Sequence, residues 1–254
     1  MIRLVRGEFA KLFSTRLWLW LLLATMGLTA LFAGLNIAFN DDPDTTAPPL
    51  VTAAGQRLLF STAAAGAQTL VAVLAAIGIT SEYRHRTATT TFVTTPRRSR
   101  VVIAKLITYA LVGAAYGIAC IGVVTAIGWL WLSARGIDPT LTGNGIPATL
   151  AGVVAAVTGF AVLGVGLGAL LRDQVAAVVG LLVYLFVAEP IVTRIHALQD
   201  WAVYLPGAAA GAVTQVTVTD QAFLQPWQGG LVLAGYGLVV AAAGLWRTTR
   251  VDLT

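Results

Sequence analysis

Six stretches of this chain run for close to twenty residues or more with almost no charge, and they fix the solvent in which it can fold. A helix needs about 20 apolar residues to cross roughly 30 Å of hydrocarbon, where every backbone polar group must be paired internally. The runs are Leu17 to Phe39, Leu58 to Thr80, Leu106 to Leu132, Pro147 to Leu171, Gln174 to Ile191 and Trp227 to Trp246. The fifth is the shortest and carries Glu189-Pro190, so a helix break is expected there. Spans such as AAAGAQTLVAVLAAIGIT are rich in small residues that let helix backbones approach in lipid. A lipid-facing barrel would instead alternate polar and apolar residues over segments of about 10, and none does. With 57% hydrophobic residues and a mean hydropathy of +0.82, the chain is too apolar for a soluble domain. An all-α integral membrane protein of six spans is expected, as one domain over residues 1–254.

Basic residues are retained on the cytoplasmic side, and their distribution sets the expected orientation. With the N-terminus inside, the cytoplasmic segments hold thirteen of the sixteen Lys and Arg residues. The outer segments hold Arg57, Arg135 and Arg194, together with the acidic cluster DDPD at Asp41 to Asp44. Both termini are therefore expected inside. The net charge of +5 follows from this topology and from anionic lipid, and it does not call for nucleic acid. Leu17 to Phe39 is longer than the core of a cleaved leader and reads as a retained anchor.

Ahead of it, MIRLVRGEFAKLFSTR, residues 1–16, places Ile2, Val5, Phe9, Leu12 and Phe13 on one helical face, with Arg3, Glu8 and Lys11 away from it. An amphipathic helix lying in the membrane interface is expected. Residues 192–226, between the last two spans, are too long for a tight turn and too apolar for a solvated loop. Short re-entrant or interfacial helices are expected there, with Trp201, Tyr204 and Trp227 at headgroup level.

Catalytic and metal signatures are scarce. No GxxxxGK[ST] phosphate loop occurs, and GVGLG at Gly164 to Gly168 lies inside a span with no strand before it. His85 and His196 are expected on opposite sides of the bilayer, which leaves no shared metal site. Cys120 is the single cysteine and reads as a packed small hydrophobe. Glu189 is the one acidic residue expected within a span, which makes it a functional candidate. The plainer alternative is a helix break at Pro190, with the carboxylate paired to a cation such as Arg194 or facing a wet cavity.

Charge concentrates instead between the second and third spans, in SEYRHRTATTTFVTTPRRSRVVIAK. This stretch mixes apolar Tyr83, Phe92 and Val93 with basic and hydroxyl residues, as a docking surface for a soluble partner would. Its threonine run has low helix propensity, and Pro96 ends any helix before the arginines. A solvated positive-inside loop accounts for the arginines but not for the apolar residues.

The same stretch resembles the cytoplasmic coupling segment of type-2 ATP-binding-cassette (ABC) exporter permeases, approximately GEYRxGTxxxLLxxPxSRxxxxxAK, with Glu82, Tyr83, Arg84, Thr87, Pro96, Arg100 and Lys105 on the pattern. GEFAKLFSTRLW, GLGALLRDQVAAV, VAEP, YLPGAAAG and the closing LQPWQGGLVLAGYGLVVAAAGLWRTTRVDL are similar to further parts of that family, in order. Ser81, Arg86 and the threonine run depart from it. The resemblance implies a non-enzymatic permease subunit of an efflux system, in a bacterial plasma membrane, that moves a hydrophobic or amphipathic cargo such as a drug, lipid or peptide. It implies a second permease, identical or homologous, and separate ATPase subunits that carry ATP and Mg, with no cofactor in this chain. The coupling interface within residues 82–100 would comprise Glu82, Tyr83, Arg84, His85, Arg86, Thr87, Phe92, Val93 and Pro96, with Arg97, Arg98, Arg100, Lys105 and Arg172 as headgroup anchors. Two other classes remain open: a membrane-embedded lipid-modifying enzyme using Glu189, and a scaffold or immunity protein that does not transport.

Overall fold

The computed structural model describes residues 1–40, 42, 45, 47–84, 98–137, 141–214 and 224–250. Among the described residues the chain is all-α, with six helices long and apolar enough to cross a membrane. A short first helix, α1 (Ile2–Ser14), precedes α2 (Leu17–Ala38), α3 (Ala53–Arg84), α4 (Arg98–Ala134) and α5 (Ile146–Leu171). The next span is composite: α6 (Gln174–Val183), a π-helical segment Tyr184–Ala188 and α7 (Glu189–Arg194). After a 3₁₀ turn at His196–Leu198 come the short helices α8 (Gln199–Ala202) and α9 (Pro206–Val213), and then the last span, α10 (Pro226–Arg250).

The centre of the bundle is the pair α3 and α5, which make the most extensive contact in the structure. On α3, Ala63, Ala67, Val71, Ala75 and Ile79 recur every fourth residue and are buried. On α5 the matching row is Val153, Val157, Ala161, Val165 and Ala169. Residues four apart lie on one face of a helix, so each row is a ridge of small or β-branched side chains. Gly164 faces the Ala72 backbone, and Gly168 faces Ile79 with the Ala76 backbone close behind, so closely that a Cβ at Gly164 would strike the Ala72 carbonyl and one at Gly168 the Ile79 side chain. Bare backbones are what allow this approach, and it replaces the hydrophobic drive that lipid does not supply.

The outer spans pack around this axis. α4 lies against α5 and α3, α10 against α5, and α2 against α3 and α4. The Tyr116 hydroxyl of α4 donates to the carbonyl of Trp18 and ties α2 to α4 near its start. Each connecting turn has its own chemistry. Gly145 takes a left-handed conformation (φ 76°) at the start of α5, followed by Pro147 in the first turn. At the other end Arg172 is left-handed (φ 60°), and the Asp173 side chain then caps α6 by accepting the Ala176 N–H at 2.7 Å. A capping carboxylate satisfies one of the orphan donors that start a helix.

Two expectations are corrected. No break occurs at Pro190: the span continues from Gln174 to Arg194 through the π-helical turn. Proline removes one backbone donor and crowds the preceding turn, and the wider π-turn directly before it takes up both effects. The placement of Glu8 on the N-terminal helix also changes: expected to point away with the polar residues, it is buried together with Leu12.

Gly164→Val should force α3 and α5 apart and cost about 1–3 kcal/mol, the usual penalty of overpacking. Gly122→Ala should cost nothing comparable, because a Cβ there meets no atom within 4 Å. Thermal unfolding of the purified protein in detergent, followed by tryptophan fluorescence, checks the difference.

Candidate functional site

Four charged side chains from three helices meet at the end of the bundle where α1 lies. Lys105 comes from the second turn of α4, Glu82 from the last turn of α3, and Glu8 and Lys11 from α1. The Lys105 ammonium donates to Glu8 at 2.5 Å and to Glu82 at 2.8 Å. The Lys11 ammonium donates to Glu8 at 2.8 Å and to Glu82 at 2.7 Å. Two cations and two carboxylates thus alternate in a closed, electrically neutral ring. A cavity of about 140 Å³ adjoins it, bordered by Ser81, Thr15 and Tyr109. Gly78 allows the Tyr109 hydroxyl to lie directly against α3, in space that a Cβ would fill.

Burial differs sharply around the ring. Only 3% of the Lys105 side chain is exposed, against 48% for Lys11. An ammonium removed from water is tolerated only when paired and hydrogen-bonded, and two carboxylates meet that condition here. Burial pulls the Lys11 pKa down, but the hydrogen bonds and charges of Glu8 and Glu82 outweigh it, and the group sits above its ordinary 10.5.

Lys105 is therefore not the headgroup anchor expected from its position beside an apolar run. It lies two turns inside α4, where its side chain is buried against two protein carboxylates. Arg100, one turn from the helix start, is exposed. Of the expected coupling residues, Glu82, Tyr83 and Arg84 form the end of α3; of the expected anchors, Arg98 opens α4. Arg84 is exposed and its guanidinium donates to Gln174 at 3.4 Å, which brings the turn containing Arg172 to the same end. His85, Arg86, Thr87, Phe92, Val93, Pro96 and Arg97 lie outside the described residues.

Glu8 and Lys11 were not singled out by sequence reasoning as partners of this segment. Glu8 and Lys105 are 97 residues apart, and no spacing rule connects them. The available signal was the placement of Glu8 one helical turn before apolar Leu12, on the face that both residues bury.

The other candidate, Glu189, lies toward the opposite end of the bundle. It is 7% exposed, and its Oε1 accepts the N–H of Ala208 at 3.1 Å, in the first turn of α9. Leu205 precedes that helix and cannot cap it with its own side chain, so the carboxylate caps it from another span. Gly207 makes room, because a Cβ there would stand 2.5 Å from Oε1. The counter-dipole of Glu189 is thus a helix N-terminus rather than Arg194, which is exposed. Pro190 occupies the first turn of α7.

A scan of known protein families finds no model that matches this chain, and a search of curated proteins finds no similar sequence.

Lys105→Met should remove the buried cation of the ring and leave its two carboxylates sharing Lys11, at a cost of about 3 kcal/mol or more. Lys11→Met should cost much less, because Lys11 is half exposed and screened. The raised pKa of Lys11 means that its contribution is complete below pH 10.5 and fades as pH climbs through the higher folded value. Denaturation midpoints of the variants, and of the wild type along an alkaline pH series, measure both effects.

Proposed function

We propose that the chain is the membrane-spanning permease subunit of a type-2 ABC exporter, driven by ATPase subunits on separate chains. One observation carries this reading: the ionic ring joins α1 to the two helices that flank residues 85–97. A push on that segment by a partner would arrive at Glu82 on one side and Lys105 on the other. Both already share charges with α1, so the three helices move together or the ring must open. Opening it separates paired charges in a poorly hydrated place, which makes two discrete arrangements more stable than a continuum between them. The resemblance of SEYRHRTATTTFVTTPRRSRVVIAK to the family's coupling segment, and the absence of a phosphate loop from the sequence, support the same division of labour.

In this reading α1 and residues 82–100 face the cytoplasm, the ATPases dock there, and a second permease copy or relative completes the pathway. ATP and Mg bind the ATPase chains. The cargo is hydrophobic or amphipathic, and the membrane is a bacterial plasma membrane.

Glu8→Met combined with Lys105→Met removes one anion and one cation and leaves Glu82 paired with Lys11. Replacing a buried ion pair with apolar groups of similar size costs little stability, so this variant should insert and still capture the ATPase. Export per ATP hydrolysed should nevertheless fall by about tenfold or more, since the link to α1 is weakened. Co-purification followed by transport assays in reconstituted vesicles, with and without ATP, reads both quantities. Undiminished export by the double variant would remove the ring from the mechanism. Lipid turnover by the isolated chain would favour an enzyme, and an absence of transport even with the ATPase bound and ATP supplied would favour a scaffold.

A further inference from the structure

The composite span α6–α7 and the last span α10 rest on opposite sides of α5, leaving an apolar groove of about 410 Å³ between them. Phe160 and Leu163 form its floor, Leu181 and Tyr184 one wall, and Tyr236 and Val240 the other. Leu205 and Pro206 close one end, directly before Gly207 and the buried Glu189. Tyr184 belongs to both places, since it lines the groove and lies beside the Glu189 carboxylate. The π-helical turn that starts at Tyr184 places it there, and such turns are frequent at functional sites.

Glu189 supplies the second, independent observation. Its Oε1 is used by α9, while its Oε2 is fully buried, with the Tyr184 hydroxyl nearby but outside direct hydrogen-bonding geometry. An unpaired carboxylate oxygen in an apolar setting is costly, so a donor from outside the chain would be bound strongly.

We propose that the groove binds an amphiphile with a primary ammonium head, its tail between α6 and α10 and its N–H groups on Glu189. The tail matches walls that are almost wholly apolar, and the head matches the sign and the missing donor of the carboxylate. Glu189 does not itself line the groove, and Tyr184 stands between the two, so the head reaches Oε2 only when the Tyr184 ring turns aside. An anionic head would be repelled, and a quaternary ammonium would bring charge without an N–H. The site is independent of the export reading, because a chain with no ATPase partner would bind the same molecule. Its source is either a free amine or the ethanolamine head of a phospholipid.

The test uses the full chain in nanodiscs of phosphatidylcholine, which carries no N–H donor, with radiolabelled hexadecylamine as probe. Binding should saturate and be displaced by unlabelled hexadecylamine, by hexadecanol roughly tenfold more weakly, and not by palmitate. Glu189→Gln should weaken hexadecylamine roughly tenfold and leave hexadecanol unchanged. Gly180→Leu should abolish saturable binding, since a Cβ at Gly180 meets nothing within 4 Å and the larger side chain would fill the groove. This second variant keeps the test decisive if loss of Glu189 unfolds the protein. Phosphatidylethanolamine added to the disc competes if the native occupant is lipid and does not if it is a free amine. Non-saturable partitioning, equal displacement by palmitate, or full affinity in Gly180→Leu would overturn the proposal.

Discussion

Close approach of α3 to α5 is the constraint from which the rest of the structure follows. Lipid tails are as apolar as leucine, so two spans gain from touching only when their backbones come near enough for dense packing. Gly164 and Gly168 on α5, set against Ala72 and Ala76 on α3, provide that approach. Once this axis is set, the remaining spans have limited places to go. α2 and α4 pack on α3, α10 packs on α5, and the composite span α6–α7 rests beside both members of the axis. The gap between α6 and α10 is a consequence of this arrangement, because both lean on α5 without filling the space between them.

Among the described residues the buried charged side chains lie at the two ends of the bundle, and each end solves a desolvation problem differently. At the α1 end, two ammonium groups and two carboxylates neutralise one another across three helices. At the other end, Glu189 finds no cation and is met by the partial positive charge of a helix start. The first arrangement closes on itself, each member of the ring meeting two others of opposite charge. The second is incomplete, because one oxygen of Glu189 is left without a donor. Completeness suits a joint that holds helices together, and incompleteness suits a place that receives something.

Much of this architecture was legible beforehand. Charge-free runs such as Leu17 to Phe39 and Pro147 to Leu171 correspond to α2 and α5 within a few residues, because hydrocarbon demands uninterrupted apolar length. The small-residue stretch at 63–80 marked α3 as a packing helix, and α3 is among the most buried spans. Less legible were the details that depend on what a residue meets. Pro190 reads as a break until the π-helical turn before it is seen. Lys105 reads as an anchor because it follows the arginines that open a span, yet it is buried against Glu8 and Glu82. Tyr184 carried no signal at all, since its importance comes from standing between a groove and a carboxylate.

By itself the sequence determined the solvent, the number of spans and the small faces available for packing, since these depend only on local composition and on the free energy of moving residues into lipid. Only the tertiary structure decided which charges pair and which carboxylate oxygen stays unmet. Coulombic and hydrogen-bond energies fall off within a few ångströms, and residues 97 apart in the chain acquire such distances only when the helices that carry them are packed.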